Sequence, residues 1–160
     1  NLNMYVLSEN SAGSLTQPTQ TLKNNLKTHI SNYKMINDTV DIIDGSVVNL
    51  AIDFEVVTEN GVNKYDVLST CVETLAAKFS IKKNLGEPLF LSEMYLVLNR
   101  IPGVIDTLDI QVSQKTTPGY SQFFYDIEAN TSPDGRYISS SPDVAFEIRT
   151  PSQDIKGVVR

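Results

Sequence analysis

The sequence holds one cysteine, one histidine and no tryptophan among its 160 residues. A single cysteine excludes an internal disulfide and a cysteine-based zinc site, and a single histidine excludes a histidine-rich metal centre. No apolar stretch approaches the ~20 residues that a membrane helix needs, so we expect no membrane insertion. Basic clusters are also missing and the formal net charge is −6, so we expect no nucleic-acid partner.

What is present is an ordinary globular composition, with 41% apolar and 20% charged residues. A chain of this length predicts one domain, or one domain with an appendage. The first residue is Asn1 rather than Met, and no charged segment followed by an apolar run opens the chain. We therefore expect no signal peptide, and we expect a fragment of a longer protein or a processed chain.

The first 80 residues alternate between strand and helix patterns. Residues 4–8 and 39–43 predict strands, and Leu22, Leu26 and Ile30 recur at helical spacing, with Tyr33 extending the stripe. Strict alternation predicts a long strand with one wet face, and its inward residues are Val48, Leu50, Ile52, Phe54 and Val56. A second helix is predicted from the apolar spacing of Tyr65, Leu68, Val72, Leu75 and Phe79.

The segment "LGEPLFLSEMYLVLNRIPGV", residues 85–104, reads as a connector. Pro88 favours an extended approach, Ser92 is a good residue to cap a short amphipathic helix, and Pro102-Gly103 ends that helix. Residues 104–112 then alternate as a strand. We expect these proline, serine and glycine residues to determine the fold and to take no part in a reaction.

These elements predict an α+β fold in which two or three helices pack on one face of a mixed sheet. From residue 113 the sequence pattern changes to short strand-like segments, "FFYDIEA" and "VAFEIR", between turn signals. We predict an α/β domain over residues 1–112 and a β-rich C-terminal appendage over residues 113–160.

Candidate catalytic groups are few. His29 lies at the edge of the first predicted helix without an evident partner, and Cys71 lies among apolar residues of the second helix, where a small core residue is the better interpretation. Asp53 and Glu55 share a strand face and resemble the start of a two-carboxylate hydrolase site, although acids on a wet strand face are routine. We expect no catalysis, no cofactor, no metal and no small-molecule substrate.

Apolar groups in the last 48 residues offer a candidate protein–protein interface: Phe123, Phe124, Tyr125, Val144, Phe146 and Ile148. Adjacent side chains of a strand point to opposite faces, so three consecutive aromatic residues cannot all be buried on one face. Two interpretations remain open, namely packing within the chain and contact between subunits.

Four stretches together resemble a known family: "YVLSEN", "LKNNLKTHISNYKMINDTVDIIDGSVVNLAIDFEV", "GEPLFLSEMYLVLNRIPGVIDTLDI" and "PDVAFEIRTPSQDIKG". They are similar to baseplate J-like proteins, and most closely to the C-terminal part of the baseplate wedge subunit of T4-like contractile-tailed bacteriophages. The resemblance spans most of the chain, and its motifs are structural rather than catalytic.

The resemblance implies a structural subunit of a phage tail baseplate wedge. Such a subunit would associate with itself, as a dimer or ring, and with other baseplate wedge proteins, and would reside in the virion after assembly in the host cytoplasm. The alternative is a binding module on a virion or cell surface that recognises a receptor or glycan through exposed aromatic residues.

Overall fold

A computed structural model describes residues 1–81 and 83–160. Within them the elements are β1 (Leu2–Val6), β2 (Ser8–Glu9), β3 (Leu15–Thr16), α1 (Gln20–Ser31), β4 (Val40–Asp44), β5 (Ser46–Thr58), α2 (Lys64–Phe79), β6 (Leu89–Phe90), α3 (Leu91–Leu98), β7 (Val104–Gln114), α4 (Ile127–Asn130), β8 (Tyr137–Ile138), β9 (Val144–Glu147), α5 (Pro151–Asp154) and β10 (Ile155–Val159). The predicted α+β class is confirmed, since helices and mixed sheets share one chain.

Strand β5 organises the main sheet. Its inward residues are those that the alternation predicts, and all five are buried. Antiparallel β7 lies along one edge of β5, while β9 and β10 pair with it in parallel, β9 opposite residues 46–49 and β10 opposite residues 52–56. Contrary to the predicted wet face, the opposite face of β5 is not exposed throughout, because Val47, Asn49 and Ala51 are also buried. Burial as well as hydrogen bonds therefore fixes the register of this strand.

Helices α2 and α3 share one hydrophobic core with the inward face of β5. The buried stripe of α2 is Val67, Cys71, Leu75 and Phe79, which differs from the prediction by a rotation of the helix. Leu68 and Val72 flank this stripe and are partly buried, whereas Tyr65 lies in the first turn and is exposed. The periodicity identified the helix, but several apolar residues competed for its inward face.

Residues 113–160 are integral to this core. Strands β9 and β10 pair with β5, and β9 is buried along its whole length. The segment "VAFEIR" forms a strand as predicted, but most of "FFYDIEA" is irregular and ends in the short helix α4. Accordingly, the expected boundary at residue 112 does not mark a break in the core.

The N-terminal elements form a second, thinner layer. Strands β1 and β4 make a two-stranded parallel sheet that is joined by the crossover helix α1, the usual way to connect parallel strands. Helix α1 ends at Ser31, so Tyr33 lies outside it, contrary to the predicted stripe. No residue of α1 is buried, because the helix covers only this small sheet.

The connector, residues 85–104, contains the predicted helix and turn, but the helix begins at a different residue. Helix α3 begins directly after β6, and Phe90 occupies the N-cap position without a side-chain hydrogen bond, so Ser92 is not the cap. Strand β6 pairs with β8, and the Ser92 N–H donates to the Arg136 carbonyl, so the long-range pairing supplies what a capping side chain would. Pro102-Gly103 ends the segment as expected, with Gly103 at φ +91°.

We expect Gly103→Val to destabilise the fold by about 1–3 kcal/mol, because a non-glycine residue at this φ is strained. A Cβ at residue 103 would also lie 3.1 Å from Val67 Cγ2, in the core-facing surface of α2. Chemical denaturation followed by circular dichroism measures the change. Gly119→Val is the control, since Gly119 has a similar φ of +96° with open space around it. Equal losses of stability in the two variants would show that the contact with Val67 contributes nothing. No loss of stability in Gly103→Val would contradict the role of this turn in folding.

Candidate functional site

The three consecutive aromatic residues are divided between core and solvent. Tyr125 is buried, its ring lies 5.7 Å from the Phe146 ring in an edge-to-face arrangement, and its hydroxyl donates to the Ser139 carbonyl at 2.8 Å. Phe124 is 77% exposed and Phe123 is 40% exposed. The expected split between two sides is therefore present, although the backbone here is irregular rather than a strand.

The remaining predicted interface residues are inside the chain. Val144, Phe146 and Ile148 are buried in the same core as β5 and α2. Packing within the chain is therefore the correct interpretation for these three residues and for Tyr125. Only Phe123 and Phe124 retain surface that a partner could contact.

A buried carboxylate that the sequence interpretation missed lies on the opposite face of the sheet. Glu147 Oε1 accepts from the Leu15 N–H at 2.8 Å, and Oε2 accepts from the Asn49 amide at 2.9 Å and from the Arg149 guanidinium at 3.2 Å. This network fastens β3 onto the first half of the sheet, where Asn49 is fully buried. A signal existed in the alternation, because Asn49 and Glu147 lie on the face opposite the apolar residues.

Asp154 forms a second buried polar centre. Its carboxylate accepts from the Tyr120 hydroxyl at 2.8 Å and from the Thr150 N–H at 2.9 Å, and it pairs with Lys115 at 2.8 Å. The hydrogen bond that the Lys115 ammonium donates to Asp154 is the main cause that holds the pKa of Lys115 above its usual value. All three groups that contact the Asp154 carboxylate are hydrogen-bond donors of the chain itself. The carboxylate therefore anchors the loop of residues 115–121 and is not a free reactive group.

Of the other candidate groups, only Asp53 and Glu55 lie side by side in the described structure. Cys71 is fully buried, and burial raises the pKa of its thiol to about 11, which leaves it in the unreactive protonated form. His29 is exposed on α1 and stacks near Tyr33. Asp53 is exposed, and Glu55 pairs with Arg160. In the described part of the chain, no three His, Cys, Asp or Glu side chains are grouped as a metal site requires.

The most unusual surface belongs to the N-terminal unit, defined here as β1, α1 and β4. Parallel sheets are normally covered on both faces, but this one has a single helix over it. Several of its apolar residues therefore remain partly exposed, namely Leu2 at 61%, Leu22 at 43%, Ile43 at 37% and Met4 at 36%. Beyond α1, Met35 and Ile36 are also exposed, so the apolar surface continues into the loop before β4.

Charge distinguishes this unit from the rest of the acidic chain. Helix α1 contains Lys23 and Lys27 and no acidic residue, and Lys34 follows shortly after it. Lys23 pairs with Asp44 of β4 at 2.9 Å. No ion pair involves Lys27 or Lys34 within residues 1–81 and 83–160. Asp41 and Asp44 of β4 balance Lys23 and Lys27, so the unit combines exposed apolar side chains with a formal charge of zero in an otherwise acidic chain.

Comparisons with known proteins give no family for the chain: no protein-family model matches it, and no curated protein matches it. Among the described residues, no helix is both long enough and apolar enough to cross a membrane. The geometry of the N-terminal unit is consequently the main structural guide to function.

Proposed function

We propose that this chain is a structural subunit of a phage tail baseplate wedge, which assembles through protein–protein contacts with copies of itself and with other wedge proteins. The observation that carries the proposal is the N-terminal unit, a two-stranded parallel sheet with one helix and exposed apolar side chains. Such a layer is incomplete by the usual rules of sheet packing, and association with another protein would complete it.

The remaining features support a structural role. The two buried carboxylates are engaged by groups of the chain itself, so they stabilise the fold and hold loops in place. The acidic pair Asp53 and Glu55 lies on an open sheet face, where Arg160 neutralises Glu55. The location in a baseplate comes from the resemblance of the four quoted stretches to baseplate J-like proteins.

Immunogold electron microscopy of purified virions tests the proposal. An antibody raised against the purified chain is expected to label the tail baseplate of particles from the phage that encodes it. The same antibody, absorbed beforehand with the purified chain, is the control. Label at fibre tips or on the capsid surface would favour the receptor- or glycan-binding alternative, and label confined to non-particulate lysate fractions would contradict both.

A further inference from the structure

The outer edges of β7 and of β4 differ in how their backbone is engaged. The outer edge of β7 is occupied at one position, because the Tyr95 hydroxyl accepts from the Ile110 N–H at 3.1 Å, and two register shifts make the β5–β7 ladder irregular. Such devices prevent a further strand from pairing. In contrast, β4 pairs with β1 in one continuous register, and no third strand joins this sheet in the described residues.

The outer edge of β4 lies beside two depressions that contain lysines. One depression between α1 and β4 is lined by Lys23, Lys27 and Gln20 from the helix and by the consecutive residues Val40, Asp41 and Ile42 from the strand. A second one is lined by Lys27, Ile30, Lys34, Val40 and Ile42. Asp41 contributes a negative charge to the first depression, whereas the second contains Lys27 and Lys34 and no acidic residue.

Strand β4 itself has the complementary charge. Its sequence is VDIID, and Asp44 lies on the same face as Val40 and Ile42, the face that α1 covers. An antiparallel copy of β4 centred on Ile42 would place Asp44 of one copy opposite Val40 of the other. Directly opposite residues have Cβ atoms about 5 Å apart, so this Asp44, which already accepts from Lys23 of its own chain, would also lie beside the depression that contains Lys27 and Lys34 of the other copy.

We propose that two copies of this chain pair through β4, antiparallel and about a two-fold axis at Ile42. The result is a four-stranded sheet in the order β1, β4, β4, β1, with both α1 helices on the same face. The contact is self-complementary, as a two-fold interface must be, because each copy supplies both the lysines and Asp44. On the opposite face, Asp41 of each copy faces Ile43 of the other, so no like charges are directly opposed.

This inference rests on the proposed structural role, which it deepens by assigning the self-contact to a particular edge. The first test is sedimentation equilibrium of the full chain over a concentration series. We expect a monomer–dimer equilibrium whose dissociation constant rises roughly tenfold or more in Lys27→Glu, because the new carboxylate would oppose Asp44 of the other copy. Lys64→Glu, the same charge change on exposed α2, is expected to leave the dissociation constant unchanged.

Site-directed cross-linking tests the register. Asp41→Cys and Ile43→Cys change exposed side chains, and buried Cys71 does not compete for oxidation. A mixture of the two variants is expected to form a disulfide-linked dimer under mild oxidation, well above the yield of either variant alone. A chain that stays monomeric throughout, a Lys27→Glu variant that dimerises like Lys64→Glu, or equal cross-linking in mixed and single samples would overturn the β4 contact. The virion labelling described above is independent of these results, so the proposed function can stand if this contact fails.

Discussion

Glu147→Ala is expected to lower the free energy of unfolding by about 3 kcal/mol, because removing one partner leaves buried polar groups without compensation. The Asn49 amide, the Leu15 N–H and the Arg149 guanidinium all donate to this carboxylate. Only 4% of the Glu147 side chain is exposed, so water cannot replace the lost acceptor. Urea denaturation followed by circular dichroism measures the change.

Two further variants separate charge from hydrogen bonding at this position. Glu147→Gln keeps one acceptor and is expected to lose less stability than Glu147→Ala. Asp134→Ala removes an exposed carboxylate that pairs with Arg136 and accepts from the Ser132 hydroxyl at 2.6 Å, and it is expected to cost much less stability than Glu147→Ala. If Glu147→Ala and Asp134→Ala unfolded at the same urea concentration, the structural role assigned to Glu147 would be wrong.

Phe146→Ala is expected to cost about 3–5 kcal/mol, the range typical of a large core aromatic residue replaced by alanine. The Phe146 side chain is 1% exposed and packs against the Tyr125 ring. Phe124→Ala is the matched control, because it removes the same atoms from a side chain that is mostly exposed, and it is expected to change stability by less than about 0.5 kcal/mol.

The pair of phenylalanine variants also distinguishes core from interface. A large loss of stability in dilute monomer for Phe146→Ala, and none for Phe124→Ala, places residue 146 in the core of the chain. Similar small effects for both variants would instead support the interpretation that these aromatic residues serve contact between subunits.

Local patterns in the sequence were sufficient for much of the main sheet and its helices. The alternation from Val48 to Val56 predicted the inward face of β5, and Pro102-Gly103 predicted the turn before β7. These features depend on neighbours along the chain, where residue type and backbone geometry are directly linked. The prediction that Ser92 caps α3 was wrong because the start of this helix depends on a distant part of the chain. Strand β6 pairs with β8, and α3 begins directly after β6.

Long-range pairing could not be predicted from the sequence. Strands β9 and β10 have four and five residues and pair with β5, from which they are separated by 98 and 103 residues, as Ser46 pairs with Val144 and Ile52 with Ile155. Alternation indicated that Val144, Phe146 and Ile148 share a face, but it did not indicate what covers that face. Those apolar residues were therefore assigned to an interface although the core of the chain itself contains them.

In the N-terminal unit the sequence pattern predicted burial that the structure does not show. The spacing of Leu22, Leu26 and Ile30 correctly predicted a helix and suggested a core stripe, but no residue of α1 is buried. Amphipathic spacing indicates that one face of a helix is apolar, and it does not indicate whether the same chain or another protein buries that face. The incomplete parallel sheet became evident only when its strand pairing and exposure were known together.

The central claim is that the C-terminal strands complete the core of each copy while the N-terminal unit is left for association. Amide hydrogen exchange of the full chain, measured at low and high protein concentration, tests it most directly. We expect β9 and β10 to be strongly protected at both concentrations, and β4 to gain protection only where the chain self-associates. Fast exchange of β9 and β10 in the dilute chain, together with β4 protection that is independent of concentration, would contradict the account.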